Sequence, residues 1–478
     1  MPNIRYVCMS DLHLGEEDSL LTAVTDTGEL DLSSPSPVLR RLAECLSELI
    51  QHNDAAAPKP TLILNGDALE LALARDDEAA QVFLQFLAET MPAGSELFGE
   101  LVCLAGNHDH HLWETARETQ YVNYIGRLPS DAPLEAPWHT TKVFMDMQGK
   151  DRLASGFLTA IAHRLGHLAH ANLEILMAYP NFGLAGADRC VVFHHGHFVE
   201  PLYHLMSTVG TLLFEGRDVP WSLDELEGEN FAWIDFFWSA MGRSGRFGED
   251  VERVYEATGD KKSLERLTDA LAHNIAERYN LQLHLPDFAE EAVLKHLLRA
   301  VVVRGLAKIQ ERQQLSQSPD ELPLSQDSRE GLRWYLEELL PNHVRVKDRR
   351  TLPEPVTFVF GHTHKPFERV MGYKRFSRPV QVLNDGGWIV ESVRPEPLRG
   401  GAVALIDENL NAVNLRMYNE GQFEVRVADA AESDGGALRD HVRSVIAQNP
   451  RPWRAFIQTA EAEVKRRSEM LASRLKKE

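Results

Sequence analysis

The chain has 478 residues, and its hydrophobic fraction of 44% and charged fraction of 25% are those of an ordinary globular protein. The length exceeds one minimal core, so we expect one large domain with additions, or two domains. The 50 Lys and Arg against 71 Asp and Glu give a formal net charge of −21, which repels polyphosphate backbones and disfavours general nucleic-acid binding.

The cysteines and the N-terminus indicate the compartment. Cys8, Cys45, Cys103 and Cys190 show no C-x-x-C spacing, which favours buried free thiols in a reducing compartment. The N-terminus leads directly into a predicted strand without the pattern of a signal peptide. No stretch approaches the roughly 20 apolar residues of a membrane-spanning helix. We therefore expect a cytoplasmic protein with no transmembrane segment.

The first part of the chain alternates predicted strands and helices. Strands are predicted at 4–9, 61–64 and 100–105, and helices at 38–51 and 76–90. This βαβ rhythm is typical of a mostly parallel sheet with right-handed crossovers. The sequence therefore predicts an α/β fold.

The next part is less regular. A strand is predicted at 140–147, a long helix at 153–177, and a further strand at 189–194. Histidines recur at helical spacing along the long helix, at His163, His167 and His170. Such a row could bind a metal, but a packed or solvated face is the favoured interpretation.

Between residues 198 and 350 the strand rhythm stops, which predicts a helical insertion. Its apolar run at 231–238 indicates a helix that is buried, at a subunit interface, or in contact with an apolar ligand. Arg243 and Arg246 could clamp a phosphate or lie in a solvated loop. The predicted helices are 201–214, 223–241, 251–279, 288–313 and 329–340.

Strands resume after the insertion. They are predicted at 356–360, at 380–383 with a continuation at 389–390, and as a hairpin at 403–406 and 413–418. Their short connections indicate a second, more antiparallel sheet. A linker at 428–436 and a helix at 451–477 end the chain. The expected units are 1–197 and 351–427 for the two parts of one domain, 198–350 for the insertion, and 428–478 for the linker and last helix.

Metal-binding residue types follow five of the predicted strands. Because ligands bind at the carboxyl ends of strands in open α/β sheets, these residues are expected to converge. Oxygen and imidazole ligands without thiolate suit Mn, Fe, Zn, Ni or Co better than Cu(I), iron–sulfur clusters or Ca. Among them His108 is a candidate proton donor, and Asp109 a candidate group to orient it. The five segments are Asp11-x-His13, Gly66-Asp67, Gly106-Asn107-His108-Asp109, His195-Gly196 and Gly361-His362-x-His364.

These segments resemble the pattern of the calcineurin-like metallophosphoesterase superfamily, D-x-H, G-D, G-N-H-D/E, H and G-H-x-H. The resemblance extends from residue 4 to about residue 418 and leaves the insertion unaccounted for. It implies a four-layer α/β/β/α sandwich that binds two divalent metal ions, with Mn favoured and Fe, Zn, Ni or Co as alternatives. It also implies one metal on Asp11, His13 and His364, another on Asn107, His195 and His362, a bridging Asp67, and His108 as the acid paired with Asp109.

The implied reaction is hydrolysis of a phosphomonoester, phosphodiester or pyrophosphate by a metal-bridging hydroxide. A non-catalytic metal-binding scaffold on the same fold is the alternative, although no ligand is missing. Protein phosphatases are disfavoured, because the G-D segment lacks their arginine and Asp109 replaces their glutamate.

Two enzyme branches stay open. Glu70 and the N-D-G-G-W stretch at 384–388 resemble UDP-diacylglucosamine hydrolases, which act on a lipid-linked nucleotide sugar. Those hydrolases have arginine at the position of His108, whereas cyclic-nucleotide phosphodiesterases share every ligand segment including that histidine. We expect a small phosphorylated substrate, and an amphiphilic one if the apolar run of the insertion faces the site.

The insertion begins directly after one metal segment and ends just before the strand that carries another. This position predicts a cap over the site, with a homo-oligomer interface as the other interpretation of its apolar run.

Overall fold

The computed structural model describes residues 1–149, 152–213, 216–239, 323–428 and 436–477. Within them the protein is mixed α/β, with helices and two sheets that each combine parallel and antiparallel pairs, as the sequence predicted. The strands are β1 (Ile4–Met9), β2 (Thr61–Asn65), β3 (Glu100–Leu104), β4 (Ile175–Ala178), β5 (Asn181–Ala185), β6 (Cys190–His194), β7 (Val356–Phe360), β8 (Phe367–Met371), β9 (Val380–Asn384), β10 (Ala402–Asp407), β11 (Ala412–Arg416) and β12 (Arg426–Val427).

The described residues also contain helices and helical turns. The turns His197–Val199 and Pro201–His204 are 3₁₀, and Tyr335–Leu339 and Val344–Asp348 are π-helical. The α-helices are α1 (Pro37–Ile50), α2 (Asp76–Thr90), α3 (His110–Arg127), α4 (Gly156–Ala162), α5 (Gly166–His170), α6 (Leu205–Leu213), α7 (Leu223–Ser239), α8 (Gln326–Trp334), α9 (Leu340–His343), α10 (Gly436–Gln448) and α11 (Pro450–Lys477).

The first sheet has the order β12-β11-β10-β1-β2-β3-β4. Strands β1 to β4 are parallel, because helical crossovers connect β1 to β2 and β2 to β3. The predicted hairpin is present as β10 and β11, but its predicted sheet is wrong. It pairs antiparallel with β1, with Val7 opposite Leu405. A short connection determines the pairing within a hairpin, and it leaves open which sheet edge the hairpin joins.

The second sheet has the order β5-β6-β7-β9-β8, with β6, β7 and β9 parallel. One buried apolar cluster contains residues of both sheets, including Cys8 and Ile63 from the first and Phe193 and Val359 from the second. The two sheets therefore share a core, which brings the carboxyl ends of their parallel strands into one region. The predicted continuation at 389–390 is not a strand, since Ile389 makes only a single bridge to Ser19.

The structure corrects the sequence interpretation of residues 140–177. No strand forms at 140–147, where the Val143 and Phe144 amides instead donate to the Asp348 carboxylate at 3.1 and 2.8 Å. The predicted long helix is replaced by α4, α5 and the edge strand β4, whose backbone extends the parallel ladder from β3. An apolar run of this length fits either conformation, and pairing with β3 selected the strand.

The histidine row on this segment is structural. His163 Nε2 donates to the Leu173 carbonyl and His167 Nε2 to the Met91 carbonyl, both at 2.8 Å. His170 is exposed. The packed or solvated interpretation of the row is therefore confirmed.

The insertion leaves and rejoins the second sheet at neighbouring strands, since His194 of β6 lies opposite Phe360 of β7. In its described parts, 198–213, 216–239 and 323–350, the segment contains helices and loops but no strand. The predicted helices at 251–279 and 288–313, and Arg243 and Arg246, lie outside the described residues.

The last helix, α11, packs against α1 and secures the loop that follows β1. Its Arg467 is fully buried and donates to the carbonyls of Glu17 and Thr22. Arg474 pairs with Asp18 of the same loop at 2.7 Å. The C-terminal helix therefore supports the backbone next to Asp11 and His13.

Two further expectations concern the thiols and the membrane. All four cysteines are free and buried, as predicted. Among the helices that the structure describes, none combines the length and the apolar character needed to cross a bilayer.

Candidate metal centre

The predicted ligands follow the carboxyl ends of five strands in two sheets. Asp11 and His13 come after β1, Asp67 after β2 and Asn107 after β3, all in the first sheet. His195 follows β6, and His362 and His364 follow β7, in the second sheet. Because β1, β2 and β3 are neighbours and β6 pairs with β7, these ends meet, and all seven side chains lie at one place.

The backbone at these residues is unusual. Eight non-glycine residues have a positive φ among those that the structure describes, and five of them are predicted ligands. Such left-handed conformations cost roughly 1–3 kcal/mol each and are kept where surrounding contacts enforce them, often at functional sites. The five ligands are Asp11 (51°), His13 (45°), Asp67 (49°), His362 (65°) and His364 (54°).

One group of ligand atoms is contributed by Asp11, His13 and His364. One nitrogen or oxygen from each lies within 4.8 Å of the others, and all three residues are buried. Within this group, His364 Nε2 lies 3.1 Å from Asp11 Oδ1. This is the set that the sequence predicted for one metal.

A second group is contributed by Asp67, His195 and His362, again within 4.8 Å of one another. His195 Nε2 lies 3.1 Å from both Asp67 Oδ2 and Asn107 Oδ1. This is the set predicted for the other metal, together with the predicted bridging carboxylate.

Asp67 lies between the two groups. Its Oδ2 is 3.1 Å from His195 Nε2 in one group and 3.9 Å from His13 Nε2 in the other. His13 Nε2 is buried, and no described atom forms a hydrogen bond with it. A buried polar atom without a partner is costly, so a cation at this position would satisfy it. These buried groups could hold metal ions, and the donor set fits divalent transition metals.

Two glycines make room for the side chains of Asp67 and His195. Gly66 has φ +90°, and a Cβ there would overlap the His195 ring. At Gly106 a Cβ would overlap the Asp67 carboxylate and amide. These positions therefore exclude any larger residue without a shift of a ligand.

Glu70 orients two histidines of the centre. This fully buried carboxylate lies 2.8 Å from His13 Nδ1 through Oε2 and 3.0 Å from His108 Nδ1 through Oε1. It also accepts the amide hydrogens of Ala72 and Leu73. Although burial alone would raise the pKa of Glu70, the charge of His108 and the hydrogen bonds with the His108 and His13 side chains lower it to about 2. The sequence indicated Glu70 only through its spacing from Asp67.

Asp109 has a different role from the predicted one. Its carboxylate accepts backbone amide hydrogens from Gly106 at 2.6 Å, Ala68 at 2.8 Å and Asp67 at 3.2 Å. It therefore holds the loop after β3 against the loop after β2, and Glu70 forms the bond to His108. The predicted pairing of His108 with Asp109 is wrong, because the turn after β3 directs the aspartate side chain toward backbone amides.

Three more contacts support the ligands. His195 Nδ1 lies 3.1 Å from the Asn65 carbonyl, which leaves Nε2 for the centre. His364 Nδ1 lies 3.2 Å from Glu391, and His362 Nε2 lies 3.4 Å from Glu200. Neither glutamate follows a strand as part of a motif, so the sequence contained no signal for them.

The charge balance depends on buried carboxylates and imidazoles. Burial alone would raise the pKa of Asp67, but His195 and His108 hold it well below its usual range. Burial opposes the charged form of His195, yet Asp67 and Asp11 raise the pKa of this histidine to about 9. The centre therefore favours positive charge beside Asp67, and a bound cation would replace the proton on His195.

Comparisons with protein-family models and with curated proteins found no match to this chain.

Proposed function

We propose that this protein is a dinuclear-metal-dependent phosphoesterase with the four-layer α/β/β/α sandwich of the calcineurin-like metallophosphoesterases. The central position of Asp67 between two ligand groups is the observation that carries the proposal. A carboxylate shared in this way is what two metals roughly 3.5–4 Å apart require. The apolar cluster that contains residues of both sheets supports the sandwich.

Two divalent cations, when bound, would supply an activated water and positive charge for the phosphoryl oxygens. Asp11, His13 and His364 would hold one cation, and Asn107, His195 and His362 the other, with Asp67 between them. Mn is the favoured ion, with Fe, Zn, Ni and Co as alternatives. All seven of these residues are buried, which limits the access of bulk water to the ligand atoms.

His108 is proposed as the proton donor to the leaving group. Its side chain is 20% exposed, whereas those of the seven proposed ligands are 11% exposed or less. His108 is therefore more accessible to a substrate than the ligands are. Glu70 binds Nδ1, and Nε2 would carry the transferred proton. Burial opposes the charged form, but Glu70 and Asp67 raise the pKa of His108 to about 9, so it is protonated at neutral pH.

The proposed substrate is a small phosphorylated molecule. Cyclic nucleotides and lipid-linked or nucleotide-sugar pyrophosphates are the two classes that the segments around Glu70 and His108 suggest. The test is to incubate the purified full chain with Mn and a panel of phosphomonoesters, phosphodiesters and pyrophosphates. Metal binding without hydrolysis of any panel member would contradict the proposal and favour the non-catalytic scaffold.

The insertion is proposed to cap the centre. Two of its residues already contact a ligand, since the Tyr203 ring lies 5.3 Å from that of His362 and Glu200 lies beside the same histidine. Its apolar run would then serve either an amphiphilic substrate or a homo-oligomer interface. Trp233 of this run is partly buried against the main apolar core and donates from Nε1 to the Leu202 carbonyl at 3.1 Å.

Trp233→Ala is expected to lower the free energy of unfolding by about 3 kcal/mol, the low end for aromatic truncation because the ring is only partly buried. Thermal unfolding of the variant measures this, with Ala232→Ser on the exposed face as control. KM for a lipid-like and for a small phosphoester should change alike. A selective rise in KM for the lipid-like substrate at unchanged stability would show that Trp233 contacts the substrate instead.

Glu70→Gln is expected to weaken Mn binding by about 10–100-fold, because a carboxylate that orients ligating histidines contributes about that much. The amide keeps the size of the side chain, but it cannot accept hydrogen bonds from both histidines. Mn titration of the full chain measures the change, and Glu44→Gln, at an exposed position of α1, is the matched control. If Glu70→Gln binds Mn as tightly as the wild type, Glu70 does not orient the histidines for metal binding.

A further inference from the structure

The insertion contacts one half of the candidate centre through a buried polar network. At its middle is Glu227 of α7, which is fully buried. Its Oε1 accepts from His110 Nε2 at 2.8 Å, and its Oε2 accepts from the Tyr179 hydroxyl at 2.7 Å. His110 is the first residue of α3 and directly follows the segment that contains Asn107.

The same glutamate reaches a second metal segment through Tyr179. The Tyr179 hydroxyl lies 3.1 Å from His197 Nε2, and His197 is two residues beyond His195. Tyr179 and His197 are both fully buried. Glu227 is therefore connected through His110 to the segment that carries Asn107, and through Tyr179 and His197 to the segment that carries His195, the second ligand of the same proposed metal.

A second pair of contacts fixes α7 on α3. His111 Nδ1 lies 3.1 Å from Asp235 Oδ1, and the His111 amide donates to Ser239 Oγ at 2.8 Å. Both acceptors belong to α7. Helix α7 thus binds the start of α3 through three side chains, those of Glu227, Asp235 and Ser239.

The third ligand of this metal also contacts the insertion. His362 has Glu200 3.4 Å from its Nε2 and the Tyr203 ring against its own ring. The other metal set is supported differently, since His13 bonds to Glu70 and His364 to Glu391, both outside the insertion. The insertion therefore contacts His362 directly, and it reaches the segments that carry Asn107 and His195 through His110, Tyr179 and His197.

We propose that residues 198–213 and 216–239 of the insertion control the occupancy of one metal position, that of Asn107, His195 and His362, and that Glu227 is the central positioning residue. This inference rests on the proposed dinuclear function. Removing the Glu227 charge leaves His110 and Tyr179 without a buried acceptor of equal strength, so the two metal segments lose their common anchor. Supporting residues of this kind change metal affinity by about 10–100-fold.

The test is Mn titration of the full-length Glu227→Gln variant, followed by electron paramagnetic resonance. The wild type is expected to bind two ions that show spin coupling. The variant should retain one tight ion and bind the other about tenfold or more weakly, so that one equivalent gives a mononuclear signal. An anomalous-difference map of crystals at one equivalent should place the retained ion beside Asp11 and His364.

Controls separate this effect from loss of folding. Glu225→Gln makes the same change on an exposed position of α7 and should behave as the wild type. Tyr179→Phe removes one hydroxyl from the network. It should weaken the binding of the same ion, but less than Glu227→Gln does. If Glu227→Gln fails to fold, Tyr179→Phe still tests the inference. Mn binding like that of the wild type in the Tyr179→Phe variant would overturn the inference.

Four further outcomes would overturn the inference. Equal weakening of both ions, or unchanged binding in a folded Glu227→Gln, would show that α7 does not discriminate between the positions. A third ion in the wild type that Glu227→Gln alone removes would instead make His110, Glu114 and Glu227 a cation site of their own, since their ligand atoms also lie within 4.8 Å of one another. Failure of the wild type to bind two coupled ions would overturn the proposed dinuclear centre as well.

Discussion

Asp67→Asn is expected to reduce the hydrolysis of an aryl phosphodiester by at least about 10³-fold, more than a single stabilising group contributes, because in the proposed centre this residue would hold both metals. The amide oxygen can still accept the His108 amide hydrogen, which Asp67 Oδ1 accepts at 2.7 Å. The amide nitrogen, however, would face His195 and His13 where the carboxylate Oδ2 now lies. We therefore expect the loop to persist and the metal affinity to fall.

Three measurements check this result together. Metal content after dialysis should drop from two equivalents, turnover should be lost at limiting Mn, and the unfolding temperature of the metal-free variant should stay near that of the metal-free wild type. Asp131→Asn, which changes an exposed loop aspartate, is the matched control. Turnover equal to the wild type at limiting Mn would remove Asp67 from the bridging position.

His108→Asn is expected to slow substrates with poor leaving groups by about 10²–10⁴-fold while leaving the metal content near two equivalents. The residue belongs to neither of the two ligand sets that contain Asp67 or Asp11, and its Nδ1 bonds to Glu70. A p-nitrophenolate leaving group departs without a proton, so its rate should fall far less. The ratio of the two losses measures proton transfer separately from binding.

The pH dependence gives a second readout for His108. The acid must be protonated, so activity with a poor leaving group should be lost as pH rises through its pKa, which Glu70 and Asp67 raise to about 9. Bound cations beside Asp67 would oppose this shift and move the loss toward lower pH. The alkaline limb should be absent in His108→Asn and present in His170→Asn, which changes an exposed histidine. Equal rate losses for both leaving groups would assign His108 to phosphate positioning instead.

Local sequence determined where the strands end and which side chains follow them. The runs before Asp11, Asp67 and Asn107 are short, apolar and terminated by a glycine or polar turn, and each is a buried strand in the structure. A strand end is a local event, so it can be read from neighbouring residues. Because these three strands are parallel neighbours, their ends lie at one edge of the sheet, which is why Asp11, His13, Asp67 and Asn107 could be predicted to converge. The remaining ligands follow β6 and β7, and the packing of the second sheet on the first brings them to the same place.

Side-chain partners and sheet membership depended on residues far apart in the chain. Asp109 follows His108 in sequence, yet the turn directs its carboxylate to backbone amides and brings Glu70 to the histidine. The hairpin of β10 and β11 joined β1 across almost four hundred residues of sequence. The sequence predicts residues 175–177 as the end of a helix, and they form part of β4 because the edge of β3 offers hydrogen-bond partners. In each case a short apolar or acidic segment has several acceptable local conformations, and only the free energy of its tertiary contacts selects one of them.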